Sequence, residues 1–314
     1  MDELDIRILR ELTQGGHEGL AWGEIDPSYR ALSRKLGASV GTVRDRVVKM
    51  SSSGFLKVFP IQVNPALLGL YMGSLAVDVP HTSPKKELLE KLVLIDGMLI
   101  VATHVGTLIG LIFYYEDEKE LERKIKLVEK VCGATGMKFT KIPYPRCSIK
   151  LSKRDWEVIR ALQAVSPRSA RFLSKRLGIS ARTLKRRTKR LIDGMAVSTI
   201  LSIEAHALNT GVIGNILVTY DRKDVRADAD RELLRALDSR LLFVGLWTDF
   251  SLFTAVLPSI HAASETLETV KNVGGVASAR LDLMHDRVEV YSTLSEAVER
   301  KLKSVQTAEP SAHK

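Results

Sequence analysis

The hydrophobic positions of this chain follow a helical spacing in residues 173–191, where the sequence reads LSKRLGISARTLKRRTKRL. A short first helix is expected to end at Gly178, and Ser180 has the type of side chain that caps the start of a second helix. In that second helix Leu184 and Leu191 share one face, while the basic residues point elsewhere. A short helix, a glycine turn and a second helix with a basic outer face are typical of a helix-turn-helix that binds DNA.

The same stretch occurs twice in the chain. Residues 32–50 read LSRKLGASVGTVRDRVVKM and align with residues 173–191 at an offset of 141 positions. The similarity continues, with one gap, from residues 55–69 to residues 195–211. A repeat of this length is a whole two-part module, not the unit of a solenoid. The sequence therefore predicts a tandem duplication.

Each copy also has the pattern of a ferredoxin-like unit, with elements in the order β-α-β-β-α-β. In the first copy the predicted elements are Leu70–Val79, Pro84–Leu94, Met98–Thr103, Leu108–Tyr114, Lys119–Val131 and Met137–Ile142. In the second copy they are Gly214–Tyr220, Asp230–Leu237, Leu241–Trp247, Ser251–Leu257, Ala262–Val273 and Ala277–Met284. One more helix is predicted over Leu294–Val305.

Short segments connect each helix-turn-helix to its ferredoxin-like unit. Phe55–Val63 and Ser198–Ile203 are predicted to be the strands of a β wing in their own copies, so each DNA-binding module would be a winged helix. The predicted fold class is α+β, with two winged helix-turn-helix domains alternating with two ferredoxin-like βαββαβ domains. The predicted domains are residues 1–63, 64–147, 148–203 and 204–314, the last with a C-terminal helix and a tail.

One apolar segment, Leu92–Tyr115, is long enough to cross a bilayer as a helix. Its glycines and its many β-branched residues instead favour two buried strands joined by a turn. The corresponding segment of the second copy, Leu241–Leu257, is shorter and contains Asp249. We therefore expect no membrane span.

The positive charge of the chain is concentrated in the two helix-turn-helix stretches. The net charge is +10, yet residues 30–50 carry six basic and one acidic side chain, and residues 171–190 carry nine basic and none acidic. The rest of the chain is therefore net negative. A protein that is merely soluble would scatter its charge, so this concentration indicates phosphate binding.

Double-stranded DNA is the predicted partner. The candidate DNA-binding residues are Ser39, Thr42, Arg44, Arg46 and Lys49 in the first copy and Ser180, Arg182, Thr183, Lys185, Arg186, Arg187 and Lys189 in the second. Most of these cations should touch phosphates and position the protein, whereas few can reach base edges. In the second copy we expect Arg182 and Lys185 to face bases, and Arg186 and Lys189 to lie nearer phosphates.

A winged helix followed by a βαββαβ unit resembles the organisation of the Lrp/AsnC family, the leucine-responsive regulators. The residues that carry the resemblance are Leu4–Leu12, Leu32–Gly37, Thr42–Met50, Gly54–Gly69, Leu173–Leu191 and the turn Thr248-Asp249-Phe250. The resemblance implies a DNA-binding transcription regulator. It also implies that the βαββαβ domain pairs subunits and, in many members, binds a small effector such as an amino acid.

The chain departs from the family pattern in two ways. Ordinary members have one module per chain and form dimers from two chains, whereas this chain has both modules. The effector-loop turn keeps an aspartate only in the second copy, because the first copy has His104-Val105-Gly106-Thr107 there. The candidate effector-binding residues are His104, Thr107, Thr248 and Asp249.

We expect the two βαββαβ units to pair within the chain and to present two winged helices to one DNA duplex. A homodimer reads a palindrome because its halves are identical. The two recognition helices of this chain differ in sequence, so the pair should read an asymmetric site.

Two alternatives remain open. Siroheme decarboxylases are similar to Lrp/AsnC modules and need histidine and arginine around a tetrapyrrole; His104 is the candidate here, while His206, His261 and His285 are scattered. Such an enzyme has no need of a strongly basic recognition helix, so we expect no enzymatic activity. The other alternative is an effector sensor that acts through a protein partner.

No metal site or cofactor is predicted. Cys132 and Cys147 lack a C-x-x-C spacing, and no glycine-rich phosphate loop is present. The low cysteine count and a charged, amphipathic N-terminus indicate a cytoplasmic protein. The sequence leaves open the operator, activation or repression, the effector, homo-oligomer formation and the role of the Gly15–Pro27 loop.

Overall fold

The computed structural model describes residues 1–13, 29–57, 61–163, 170–199, 202–208, 211–247 and 249–308. The elements of the first half are α1 (Glu3–Thr13), α2 (Tyr29–Leu36), α3 (Val40–Ser52), β1 (Ile61–Val63), β2 (Tyr71–Asp78), α4 (Lys85–Leu92), β3 (Met98–His104), β4 (Leu108–Tyr115), α5 (Glu118–Cys132) and β5 (Gly136–Ile142). Those of the second half are α6 (Lys153–Gln163), α7 (Ala170–Leu177), α8 (Ala181–Asp193), β6 (Val197–Thr199), β7 (Val212–Tyr220), α9 (Arg226–Leu237), β8 (Leu241–Leu246), β9 (Ser251–Leu257), α10 (Ile260–Lys271), β10 (Val276–Glu289) and α11 (Ser292–Ala308). The Gly15–Pro27 loop and the candidate effector residue Thr248 lie outside the described residues.

Both helix-turn-helix predictions are confirmed. Ser39 and Ser180 cap α3 and α8, each accepting a hydrogen bond from the backbone N–H three residues later, at 3.0 and 3.1 Å. Gly37 and Gly178 lie in the turns with φ of 66° and 62°, a conformation that glycine adopts without steric cost. The same local chemistry therefore forms the same motif in each copy.

The two segments that follow the helix-turn-helix motifs pair with each other. Strand β1 is antiparallel to β6, with Gln62 opposite Ser198. Closer to the recognition helices, the Lys57 N–H donates to the Ser202 carbonyl at 2.9 Å. We call this paired structure, residues 55–57 and 61–64 with 196–199 and 202–204, the linker ribbon.

The prediction of separate wings over Phe55–Val63 and Ser198–Ile203 is wrong for the residues that the structure describes. All three residues of β1 are buried, so this strand needs a covering partner on each side. An apolar alternation identifies a strand, but it does not identify the strand with which it pairs. Here the partner is the equivalent segment of the other copy, so each winged helix consists of a helix-turn-helix and one strand of the linker ribbon.

The predicted βαββαβ order is confirmed in both units. The eight-stranded sheet has the order β5-β2-β4-β3-β10-β7-β9-β8. Each half therefore places the four strands of its unit in the ferredoxin-like order 4-1-3-2. The two units are joined where β3, the second strand of the first unit, pairs with β10, the fourth strand of the second.

Strand β10 continues past its predicted end at Met284. Its first part pairs with β7 as far as Leu283, and its second part pairs with β3 from Met284 to Glu289. A register shift between Met284 and Asp286 marks the point where the strand passes from one partner to the other. The extension depends on β3, which lies far away in the sequence, so local patterning could not show it.

An apolar layer lies where the two units face each other. It combines Leu99 and Tyr114 of the first unit with Trp247 and Phe250 of the second. The rings of Trp247 and Phe250 are stacked, with centroids 4.9 Å apart. Each unit also has an apolar cluster between its own strands of the sheet and its own helices. The predicted pairing of the units within one chain is thus confirmed.

The two winged helices dock on different parts of the molecule. Helix α1 lies against β8, and Leu9 shares a hydrophobic cluster with Leu242 and Val256. Helix α6 lies against α11 instead, and Trp156 shares a cluster with Val298. The internal repeat is therefore present in each module but not in the way the modules are attached.

The apolar segment Leu92–Tyr115 contributes strands β3 and β4, as predicted. Among the described residues, no helix combines the length and the apolar character needed to cross a membrane. Cys132 is buried and Cys147 is half-buried, and both are free thiols.

We expect Trp247→Ala to lower the free energy of unfolding by about 3–5 kcal/mol, because it removes a large buried side chain from the layer that joins the two units. Urea unfolding followed by circular dichroism measures the change. The control is Leu94→Ala, since Leu94 is 82% exposed and its loss should cost less than about 0.5 kcal/mol. Equal effects of the two substitutions would contradict the role given to this layer.

Candidate nucleic-acid interface

The outer face of α8 carries three cations that are directed to solvent. Arg182, Lys185 and Arg186 are all exposed, and within the described part of the chain none of them has a carboxylate partner. Lys189 is also exposed but lies 3.0 Å from Asp193, one turn further along the helix. An exposed pair of this kind contributes less than about 1 kcal/mol, so it does not prevent Lys189 from contacting another anion.

Two other arginines of α8 bind inside their own module. Arg187 and Arg190 lie 2.7 and 3.0 Å from the carboxylate of Asp155, which is 1% exposed. Asp155 also accepts hydrogen bonds from the backbone N–H and the hydroxyl of Ser152, at 2.9 and 2.7 Å. Burial alone would raise the pKa of the Asp155 carboxyl, but the bonds from Ser152 and the two arginines outweigh it and leave that pKa lower than usual.

The first module repeats this arrangement. Arg46 of α3 lies 3.0 Å from Asp5 of α1 and also binds Asp2, and its hydrogen bond lowers the pKa of the Asp2 carboxyl. These arginine–aspartate ion pairs therefore fix each recognition helix to the first helix of its module. DNA contact by Arg46 and Arg187 stays a prediction, since both carry out this internal role. The sequence signal for this internal role is an aspartate at the third position of the first helix in each module, Asp5 and Asp155.

The outer face of α3 is much less basic. Arg44 is paired with its neighbour Asp45 at 3.2 Å, with both side chains exposed. Val40 and Val48 are 42% and 54% exposed on the same side of the helix. Lys49 is exposed and, in the described ranges, has no carboxylate beside it.

The hydroxyl residues predicted at the DNA interface form the N-terminal caps. The hydroxyl of Thr42 lies 2.9 Å from that of Ser39, and Thr183 has the same relation to Ser180. These pairs fix the first turn of each recognition helix, the part that enters a groove in helix-turn-helix complexes. Whether they also contact DNA stays a prediction.

His104, the first candidate effector residue, lies buried at the end of β3. Its Nε2 is 3.0 Å from the amide nitrogen of Asn215, whose oxygen accepts from Thr254 at 2.7 Å. This arrangement makes Nε2 an acceptor and places the proton of the neutral ring on Nδ1. Burial, with a smaller effect of the charges on Lys85 and Arg280, lowers the pKa of His104 to about 4.

The structure does not bring all the candidate effector residues together. The Thr107 hydroxyl donates to Asp78 at 3.1 Å, in the turn between β3 and β4. Asp249 is exposed in the turn between β8 and β9. In the sheet, three strands lie between β3 and β8. Effector binding by His104, Thr107, Thr248 and Asp249 stays untested, and Thr248 is outside the described residues.

A cavity of about 470 Å³ lies beside the linker ribbon. Its walls come from the ribbon, from α4 and from the final part of β10, and its lining residues are Lys57, Lys86, Leu89, Glu90, Ser202, Ile203, Glu204, His206, Asp286, Arg287, Val288, Glu289 and Tyr291. Such a volume is within the usual range for small-molecule sites. This cavity could not be predicted from the sequence, because its walls come from segments that are distant in the chain.

The cavity contains charges of both signs around an apolar wall. Arg287 and Glu289 are 8% and 7% exposed, and they form an ion pair at 2.7 Å. Glu204 binds Lys57, and the Nδ1 of His206 lies 3.3 Å from the Glu204 carboxylate. In the part of the chain that is described, no group of three or more histidine, cysteine, aspartate or glutamate residues is placed to hold a metal ion.

Comparison with known proteins identifies regulators as sequence relatives. The chain is 31% identical over 162 residues to an HTH-type transcriptional regulator of Pyrococcus furiosus, a match that covers 51% of this chain and 98% of that protein. It is 35% identical over 80 residues to the HTH-type transcriptional regulator Ptr1 of Methanocaldococcus jannaschii, covering 23% of this chain and 48% of Ptr1. The chain thus spans about half the length of Ptr1. No family-level sequence profile matches it.

The full-length fold has a counterpart among solved structures. The siroheme decarboxylase NirDL aligns with a TM-score of 0.54 over 98% of this chain and 99% of NirDL, at 16% sequence identity. At that identity the likeness concerns the fold alone. It shows that the whole two-module architecture occurs elsewhere.

The helix-turn-helix motifs, the linker ribbon and the paired βαββαβ units together define a tandem duplication of a helix-turn-helix module joined to a βαββαβ unit. Since one regulator is 31% identical over nearly all of its own length, the family can be stated as well. The chain belongs to the Lrp/AsnC-type regulator family, with two modules fused in one polypeptide.

The buried neutral His104 should make stability depend on pH. Its pKa is about 4 in the folded protein and about 6.5 when unfolded, so the unfolded chain binds the extra proton between these values. The contribution is fully present above pH 6.5 and is lost as the pH falls towards 4, by about 3 kcal/mol in all. Urea unfolding of the native protein and of His104→Gln, compared from pH 7.5 to 4.5, measures it as a difference curve.

Subtracting the His104→Gln curve removes the titration of every other group. The matched control is His261→Gln, because His261 is 84% exposed and its replacement should leave the pH dependence as it is. Parallel curves for the native protein and His104→Gln would show that His104 does not titrate in this way.

Proposed function

We propose that this protein is a sequence-specific, DNA-binding transcriptional regulator that works in the cytoplasm. The observation that carries the proposal is the outer face of α8, where Arg182, Lys185 and Arg186 are exposed and lack carboxylate partners among the described residues. Exposed cations of this kind on a recognition helix can neutralise the phosphates of a DNA backbone. The regulators among its sequence relatives support the same function.

The mechanism follows from the paired modules. The linker ribbon connects two winged helices of one chain, so both can be offered to one duplex. Phosphate contacts by the basic residues would set the position of the protein, and a few side chains of α3 and α8 would read base edges. Because these helices differ in sequence and in attachment, the operator should be asymmetric, unlike the palindrome of a homodimer.

We also propose that a small effector, such as an amino acid, binds in the cavity beside the linker ribbon. Lys86 suits a carboxylate, Glu90 suits an ammonium group, and Leu89 with Val288 suits an apolar side chain. A ligand there would touch the ribbon and β10 together, which is the connection between the DNA-binding modules and the sheet.

DNA binding should be strongly salt-dependent. If six to eight phosphates are neutralised, the logarithm of the binding constant should fall with the logarithm of salt concentration with a slope of about −5 to −7. Replacing both Lys185 and Arg186 with Glu should abolish binding while the protein stays folded, because both side chains are exposed. Fluorescence anisotropy with genomic DNA fragments measures binding, and circular dichroism checks the fold.

The control reverses the same amount of charge elsewhere. Lys126→Glu with Lys130→Glu alters two exposed lysines of α5 and should leave DNA binding nearly unchanged. Failure of the native protein to bind any genomic fragment would favour a sensor that acts through a protein partner. An absorption band from a bound tetrapyrrole would favour the decarboxylase reaction for which NirDL is known.

The effector site can be tested by filling the cavity. At least one of the twenty amino acids should raise the melting temperature of the native protein, because a ligand that binds only the folded state stabilises it. Leu89→Trp should remove that increase, whereas Leu127→Trp, on the exposed side of α5, should keep it. No increase with any amino acid would contradict this part of the proposal.

A further inference from the structure

The two recognition helices differ at equivalent positions of their outer faces. At the offset of the internal repeat, the neutral, acidic and apolar residues of α3 stand where α8 has three cations. The pairs are Gly41 with Arg182, Asp45 with Arg186, and Val48 with Lys189. All six residues are exposed, so the difference lies on the surface that a recognition helix offers to DNA.

The difference in charge is large for one helix face. The three residues of α3 sum to −1 and those of α8 sum to +3. Of the other cations on α3, Arg44 is paired with Asp45 and Arg46 with Asp5, which leaves Lys49 as the cation of this helix without a carboxylate partner in the described residues. A phosphate close to α3 would meet Lys49 and an Arg44 that is already paired with Asp45, next to two exposed valines.

The side chains of α3 suit bases better than phosphates. Asp45 is repelled by the phosphate backbone, but a carboxylate can accept a hydrogen bond from the amino group of cytosine. Arg44 can donate to guanine in the same groove. Their mutual ion pair is exposed and contributes less than about 1 kcal/mol, so base contacts can replace it.

We propose that the two winged helices divide the work of binding, with α8 holding the phosphate backbone and α3 selecting bases. This inference rests on the proposed function, because it concerns how the same DNA interface is organised. The half-site at α8 supplies most of the salt-dependent affinity and depends less on sequence than the half-site at α3. The half-site at α3 adds few phosphate contacts and supplies discrimination.

Exchanging the three residues between the helices tests this division. The α8 exchange is Arg182→Gly, Arg186→Asp and Lys189→Val; the α3 exchange is Gly41→Arg, Asp45→Arg and Val48→Lys. The probes are a 30-base-pair duplex selected by the native protein from a random pool and an unselected random duplex. Both are titrated from 50 to 300 mM salt, and melting by circular dichroism confirms that each variant is folded.

The α8 exchange should make the salt slope less steep by about 2 to 3 on both duplexes, because it removes Arg186 and Lys189, which lie nearer the phosphates, together with Arg182. The α3 exchange should tighten binding to the random duplex and lower the ratio of selected to random affinity at least tenfold. The comparison variant, Arg44→Ala with Lys49→Ala, should change the slope by about 1 or less.

The outcomes separate this inference from the proposed function. If the α8 exchange changes the slope no more than the Arg44 and Lys49 variant does, the division of work is wrong while DNA binding stands. If the α3 exchange leaves the selected-to-random ratio unchanged, the base-selecting role of α3 is wrong. If the native protein shows no salt-dependent binding to either duplex, the proposed function fails and this inference fails with it.

Discussion

The hydrogen bonding of one strand to both βαββαβ units is the constraint on which this structure depends. Strand β10 runs for 14 residues and pairs with β7 in its own unit and with β3 in the other. The fourth strand of one unit is thereby joined to the second strand of the other, and β5 and β8 remain the two ends of the sheet. Because the chain uses this junction once, the two modules are not placed equivalently, and each winged helix docks on a different surface.

Inside each winged helix, acidic residues determine which cations remain available to bind the phosphates of DNA. Asp5 and Asp155 occupy the same place in the first helix of their modules, and each holds an arginine of its recognition helix. A buried carboxylate such as Asp155 is costly without such partners, so these arginines are committed to the fold. The capacity to bind an anion is left to the cations that point outward. Among the described residues, α8 has three outward cations without a carboxylate partner, Arg182, Lys185 and Arg186, whereas α3 has Lys49.

The sequence was sufficient for every feature set by near neighbours. The caps at Ser39 and Ser180 and the order of strands and helices depend on residues a few positions apart, and they were predicted. The repeat was found by aligning the chain with itself. The predicted DNA-binding set was less secure, because charge alone does not show whether an arginine points outward. Arg46 and Arg187 look like surface cations in a sequence, yet their partners lie about 30 to 40 positions away.

Features that join distant segments could not be predicted. The pairing of the two linkers, the extension of β10 to Glu289 and the cavity beside them all arise when the two copies meet. His104 is one example, since its partner Asn215 is 111 positions away and belongs to the other unit. The turn motif of the first copy therefore predicted that His104 lies at the end of a strand. It could not predict that the side chain is buried and neutral, because that depends on the other unit.

The linker ribbon has one more consequence, because both of its strands belong to a single polypeptide. Dilution cannot separate the halves, so the arrangement of the two modules is independent of protein concentration, unlike that of a dimer of separate chains. A substitution in one linker also meets an unaltered strand, whereas in a homodimer every substitution occurs twice at the same interface. Fusion thus frees each copy to change its own residues without a mirrored change opposite them.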